Sequence, residues 1–265
     1  MLHYNAELEA SNADLDAFAH SVAHDLRNPV SVVIGIADLL QECFDELPRE
    51  TVLDQLDELI QAGHRMSGII DSLLLLARIR GLEEIPAETL DMGAIVREAQ
   101  TRLSRLIQEV NAELIIAPEW PVARGNAAWI EHVWVNYISN ALKYGGNPEQ
   151  GIVPRVVLGS DYSLHAEVEN TQARHIRFWV RDNGPGLTDE QRRRLFTPFT
   201  RPHQVQTKGH GLGLSIVRRI VTRLGGSVGA ESAMNRGSTF WFTLPVDNLQ
   251  DDRPESLLTL SEPTG

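Results

Sequence analysis

The chain has 265 residues, 42% of them hydrophobic, and a formal net charge of −12, enough for one or two domains with a real core. The acidic balance argues against nucleic acid or an anionic lipid surface as the main ligand, and a single cysteine, Cys43, excludes an internal disulfide and any cysteine-rich metal site. No signal peptide is expected, and the longest apolar candidate, Ile69 to Ala77, is broken by Asp71 and Ser72, so no transmembrane segment is expected either and the composition fits the cytoplasm or the cytosolic portion of a larger protein.

Residues 2–46 read as one helix. Leu8, Leu15, Val22 and Pro29 share a heptad track, with Phe18, Leu26, Val33 and Leu40 on the same side. Pro29 should kink the helix just after the turn that holds His24, and Asp45-Glu46-Leu47-Pro48 ends it. A second helix over 51–80 carries a stripe of Leu53, Leu56, Ile60, Met66, Ile70, Leu73 and Ala77. Two such helices make a hairpin that cannot bury both stripes alone, so a homodimer closing a four-helix bundle is expected. The chain opens directly in helical sequence, which leaves room for an upstream domain. The expected organisation is a hairpin over 1–80, a linker over 81–89, an α/β domain over 90–246 and an acidic, proline-bearing disordered tail over 247–265. Within the α/β domain, helices are expected over 92–108, 127–143 and 212–224. Strands are expected over 114–117, 155–158, 176–180, 227–230 and 238–244, with a polar connection over 159–174.

The chemistry is spread along the chain. His24 offers a ring nitrogen as a nucleophile, and Asp25 beside it can orient the ring or accept its proton. His20 lies one turn earlier but is followed by Ser21 rather than an acid. In the helix Trp134 to Tyr144, Asn136, Asn140 and Lys143 share a face. An amide oxygen there can ligate Mg²⁺ and the lysine can meet phosphate oxygens; a solvated polar stripe accounts for the same spacing equally well. Asp182-Asn183-Gly184-Pro185-Gly186 follows an apolar strand. A buried aspartate there can accept a hydrogen bond from an adenine amino group, although Asp-Asn-Gly is also good turn sequence anywhere. Gly209-His210-Gly211-Leu212-Gly213 opens a helix whose free amides suit phosphate, with no preceding Rossmann unit. Between the two glycine turns, Leu195 to Phe199 and a polar stretch with Arg201, His203 and Lys208 have the composition of a lid or of a surface loop.

The order of these pieces is more specific than any one of them. The array resembles the sensor histidine kinases of two-component signalling. Residues 18–29 match the phosphoacceptor box, 134–144 the N box, 182–186 the first glycine box, 196–199 the F box and 209–215 the second glycine box. The resemblance implies an α plus α/β chain: a dimeric helical hairpin followed by an α/β sandwich of the Bergerat type. It implies His24 as the phosphorylated residue, Asp25 as its acid/base partner, Asn140 as the Mg²⁺ ligand and Lys143 as a phosphate contact. Asn136 would support metal or phosphates, and Tyr144 would line the nucleotide site. Asp182 would recognise adenine, Gly184 and Gly186 would shape its pocket, and Gly209, Gly211 and Gly213 would receive the phosphates. His210 stands where the family often has Thr or Ser.

The implied activity is ATP- and Mg²⁺-dependent autophosphorylation, then transfer to an aspartate of a response-regulator receiver domain, downstream of a sensory domain. Asn28, one turn after His24, is placed to hold water for dephosphorylation of the regulator. A conformational ATPase and a dimeric scaffold without catalysis are the alternatives. Phosphate stable on protein would argue against the first, and the intact Asn140, Asp182 and glycine positions argue against the second.

Overall fold

The computed structural model describes residues 22–23, 26–81, 87–147, 150–163, 175–196 and 213–246. The first helix, α1, is helical from 26 to 43 and continues past Pro29, which is buried. His24 and Asp25, together with Leu8, Leu15 and Phe18 of the expected first helical stripe, lie outside the described residues. The turn is tied by the amides of Glu46 and Leu47, which donate to the Cys43 carbonyl at 3.0 and 3.1 Å. Helix α2, Arg49–Gly81, then runs back for 33 residues. Leu53, Leu56, Ile60 and Ile70, all on the expected stripe, are exposed on α2, as are Val30, Ile34 and Leu39 on α1.

The α/β domain begins at β1, Glu88–Leu90, which lies across the expected boundary between linker and domain. It pairs antiparallel with β3, Ala123–Gly125. Neither short strand stands out in the sequence, because each is defined by its partner more than by its own three residues. The expected helix over 92–108 is two helices. Asp91 caps α3, Met92–Arg102, by accepting from the Ala94 amide at 2.9 Å. Leu103 at φ −98°, ψ 4° breaks the ladder before α4, Ser104–Glu109. Helix α5 spans Ala127–Tyr144, α6 Asp189–Arg194 and α7 Gly213–Arg223.

The main sheet has five strands in the order β2-β4-β5-β7-β6: β2 Glu113–Ile116, β4 Arg155–Ser163, β5 His175–Arg181, β6 Val228–Ser232 and β7 Ser238–Pro245. Only the β2–β4 pair is parallel. β4 reaches five residues further into the polar connection than expected. The inner face of the sheet carries Ile176, Phe178 and Val180 of β5 and Phe240, Phe242 and Leu244 of β7, all buried in one core with Trp129, Trp134, Tyr137 and Ile138 of α5. Trp134 meets Phe242 edge-on, with ring centroids 5.3 Å apart, a favourable aromatic arrangement. Its indole Nε1 points at Met92 Sδ, 3.0 Å away. Helix α7 buries Ile216, Val217, Ile220 and Val221 in the same core. The C-terminal half of α2 joins it through Ile69 and Leu75, and α2 packs against α7.

The outer face of the sheet is closed differently. Gly159, Trp179, Trp241 and Gly229 form one row across β4, β5, β7 and β6. Each tryptophan ring occupies the space that a Cβ on its neighbouring glycine would need. Each also carries a guanidinium: Arg177 lies 4.9 Å from the Trp241 ring centroid and Arg181 5.1 Å from that of Trp179. The outer face is thus layered glycine, indole, arginine, and the aromatic area is covered without a second sheet or helix.

Candidate functional site

Helix α5 is the scaffold. Asn126 caps it by accepting from the Trp129 amide at 3.2 Å, and its apolar residues fix its rotation against the sheet. That rotation leaves Asn136 and Asn140 half-buried at the edge. Asn140 Nδ2 donates to Asn136 Oδ1 at 3.2 Å, so the amide of Asn140 is oriented and its Oδ1 is left as an acceptor for a hard cation. Asn136 Nδ2 in turn faces Gly213, the first residue of α7, where any Cβ would collide with that amide. The polar stripe on α5 is therefore a fitted edge under the start of α7. One turn further on, Lys143 is exposed over much of its length, yet desolvation lowers its pKa.

Asp182 sits immediately after β5 and is 6% exposed. Its Oδ1 accepts from the Gly184 amide at 2.8 Å and from the Ser238 amide at 3.1 Å. Both bonds fall on one oxygen, so Oδ2 is the atom that can accept from a ligand. Burial raises the pKa of Asp182, and the two amide bonds work against that rise. Gly184 is pressed against the end of α5, where an added Cβ would meet the Tyr144 carbonyl oxygen. Gly186 and Gly237 turn the chain at φ +74° and +76°, a region that favours glycine. Gly237 does so with its Cα against the Asp182 carbonyl. Between Asp182 and Gly184, the Asn183 side chain reaches across to the segment after α5. Its Oδ1 accepts from the amides of Gly146 at 2.9 Å and Arg155 at 2.8 Å, and its Nδ2 donates to the Val153 carbonyl at 3.0 Å.

Asn136, Asn140 and Gly213 are thus brought together, and Asp182, Gly184 and Tyr144 meet one turn beyond Asn140, at the C-terminal end of α5. Tyr144 is 39% exposed there. Asn28 is exposed on α1. His24, Asp25, Gly209, Gly211, His210 and the lid stretch from 197 onward lie outside the described residues. His175 is buried with its Nε2 2.9 Å from the Gly225 carbonyl.

Three contributors are absent from the sequence reading. Ser238 and Gly237 reach Asp182 only through the pairing of β5 with β7, across 56 residues. Asn183 was visible in the Asp-Asn-Gly turn, but nothing local tells that its amide bonds a different segment.

These residues fit a nucleotide. A buried carboxylate offers one free oxygen at one end of the site, and an oriented amide oxygen stands along the helix. Glycines stand where any side chain would fill the space. Among the described residues no group of three His, Cys, Asp or Glu side chains is placed to hold a metal. A divalent cation would therefore take the Asn140 amide and draw its remaining ligands from phosphate and water, the ordinary arrangement for Mg²⁺.

Comparison with known proteins agrees with this layout. Residues 125–248 match the histidine kinase-, DNA gyrase B- and HSP90-like ATPase family, and residues 14–82 match the His Kinase A (phospho-acceptor) domain. Between them the two matches take in most of the chain. The methanogenesis regulatory histidine kinase FilI of Methanothrix harundinacea is 31% identical over 240 residues, covering 91% of this chain and 26% of that protein. The chain thus spans about a quarter of that relative's length. Full-length ShkA in complex with AMPPNP superposes with a TM-score of 0.56 at 26% identity, covering 85% of this chain and 45% of that one. The fold is shared with the histidine kinase ThkA in complex with the response regulator protein TrrA, at a TM-score of 0.64 and 18% identity, over 90% of this chain and 64% of that one. No helix among the described residues is long and apolar enough to cross a membrane.

Proposed function

Because the chain belongs to the sensor histidine kinases of two-component signalling, we propose that it binds ATP with Mg²⁺, phosphorylates itself on His24 and passes the phosphoryl group to an aspartate of a response-regulator receiver domain. The observation that carries this reading is a buried Asp182, with Oδ2 free, beside the C-terminal end of α5, and an oriented Asn140 amide one turn back along the same helix. ShkA in complex with AMPPNP supports the nucleotide, and the ThkA–TrrA complex supports the regulator. Residues 1–80 are the dimerisation and phosphotransfer hairpin, 81–89 the linker, 90–246 the catalytic domain and 247–265 a tail, and the cytoplasm is the compartment.

The proposed roles are these. Asp182 Oδ2 accepts from the adenine amino group. Gly184 and Gly186 keep the pocket open beside Tyr144. Asn140 holds the metal with Asn136 orienting it, Lys143 meets phosphate oxygens, and Gly209, Gly211 and Gly213 present backbone amides to them. Bound Mg²⁺ offsets charge on the transferring phosphoryl group. Asp25 keeps the attacking nitrogen of His24 unprotonated. His24 then attacks the γ-phosphorus in line: the N–P bond forms, the bond to the bridging oxygen breaks, and ADP leaves. Asn28 positions water against the phosphoaspartate of the regulator, which gives a phosphatase arm to the same helix.

Incubation with γ-labelled ATP and Mg²⁺ tests the reading. An acid-labile phosphate should map to His24, and His24→Gln should abolish it while nucleotide affinity persists. Strong residual label at His20 would overturn the assignment.

A further inference from the structure

We propose that Asn183 is a positioning residue that makes base recognition depend on the end of α5, by fixing where Asp182 stands relative to the metal-bearing Asn140. The proposal rests on the nucleotide roles given above to Asp182 and Asn140. The two residues belong to separate parts of the fold: Asp182 follows β5, and Asn140 sits on α5. ATP would have to engage both at once, with its amino group at one and its phosphates at the other. Something must therefore hold that span.

The side chain of Asn183 is built for it. Its Oδ1 receives the amides of Gly146, in the segment between α5 and β4, and of Arg155, the first residue of β4, and its Nδ2 donates to the Val153 carbonyl in that same segment. None belongs to the turn in which Asn183 itself sits. That segment is closed in its turn. Asn147 and Ile152 exchange backbone bonds of 2.8 and 2.9 Å, and the Gly145 amide donates to the Ala141 carbonyl at 2.8 Å, which ties the segment to the last turn of α5. On the other side, the Asp182 carboxylate is held by the amide of Gly184, the residue after Asn183, at 2.8 Å. Gly184 also touches the Tyr144 carbonyl at the helix end. The path from Asn140 along α5, through Gly145 and Gly146, to Asn183 and Asp182 is a run of short covalent and hydrogen-bonded steps. Removing the amide leaves two amide donors and one carbonyl without their partner and breaks the side-chain clasp between the two segments along that path.

A purely structural role would weaken every nucleotide equally. A positioning role weakens those that use Asp182. Inosine triphosphate separates the two, because its base has an oxo group where adenine has the amino donor. We would measure the affinities of the whole chain for ATP and for inosine triphosphate, both with Mg²⁺, by titration calorimetry. The wild type should prefer ATP, and Asp182→Asn should reduce that preference. Asn183→Ala should lower it about 3- to 10-fold, the worth of a hydrogen bond, and should add little to Asp182→Asn in the double variant. Asn183→Asp keeps an acceptor for the Gly146 and Arg155 amides and loses only the donor to Val153, so its loss should be smaller. An Asn183→Ala variant that keeps the wild-type preference, with or without a uniform drop in affinity, overturns the proposal. If that variant does not fold, an unchanged preference in Asn183→Asp overturns it as well. A wild type with no preference for ATP sinks the reading of Asp182 itself, which is a different result.

Discussion

The hairpin and the α/β domain solve the same problem in opposite ways. The domain closes its own surfaces: one face of its sheet is buried under α3, α5 and α7, and the other is layered with Trp179, Trp241 and their arginines. The hairpin leaves Leu53, Leu56, Ile60, Ile70, Val30 and Ile34 in solvent while it buries Ile36 and Ala62, and α2 packs against α7. A monomer with so much exposed apolar surface on two helices is incomplete, whereas the nucleotide domain is finished in one chain. Binding and assembly are therefore expected to be separable, and each prediction tries to join what the fold keeps apart.

The largest effect is the complete loss of label in His24→Gln with ATP affinity intact; a parallel loss of affinity would merge the two regions. Next is Asn140→Asp, which puts charge beside the phosphates and disturbs the metal geometry. Autophosphorylation should fall on the order of 10- to 100-fold with the dimer unchanged by sedimentation, and normal labelling would remove Asn140 from the site. Third, charges placed on the exposed stripe, as in Leu56→Glu with Ile60→Glu, should dissociate the dimer, since each fully buried Leu is worth roughly 1.5–3 kcal/mol. A fragment of residues 88–246 should be monomeric and still bind ATP, and a tight dimer of that fragment would break the comparison.

Asp182 sharpens the contrast from within the domain. Burial raises its folded pKa above the unfolded value, so the charged form is disfavoured by folding. Its contribution to stability falls as pH rises from the ordinary carboxylate range through the raised folded pKa, and stays reduced above it. Asp182→Asn removes that cost. The variant should melt higher than wild type at neutral pH, by about 2–4 °C per kcal/mol relieved, while losing adenine recognition. The two melting curves should converge in acid. A lower neutral melting point in the variant contradicts this.

The smallest effect belongs to Asn28→Ala. It should slow dephosphorylation of the cognate phospho-regulator more than it slows His24 labelling, because the proposed kinase base is Asp25 and not the exposed Asn28. Rates measured separately decide this, and equal losses would assign Asn28 a structural place beside Pro29.

Sequence alone carries the pieces whose signal is local and long. Helix α5 is legible from its apolar spacing over four turns, and α2 from its stripe. Asp182 is legible because an apolar strand delivers it into a glycine turn. What stays hidden depends on partners. β1 and β3 are three residues each and exist because they pair across 35 positions. Leu103 breaks a helix with no breaker in its sequence. The capping box of Thr188 and Gln191, with bonds of 2.9 and 3.2 Å, opens a six-residue helix too short to show a period. Asn183 looks like any turn asparagine until the segment it clasps is folded beside it.

The placement of the indoles has an optical consequence. All five tryptophans, Trp120, Trp129, Trp134, Trp179 and Trp241, belong to the nucleotide domain, and the hairpin has none. Intrinsic emission therefore reports the melting of that domain by itself, and dissociation of the hairpin is dark. Circular dichroism follows the helices of both halves, so a transition that it shows without a change in emission belongs to the hairpin. The two spectroscopies, recorded on one unlabelled sample, separate the stability of the assembling region from that of the binding region.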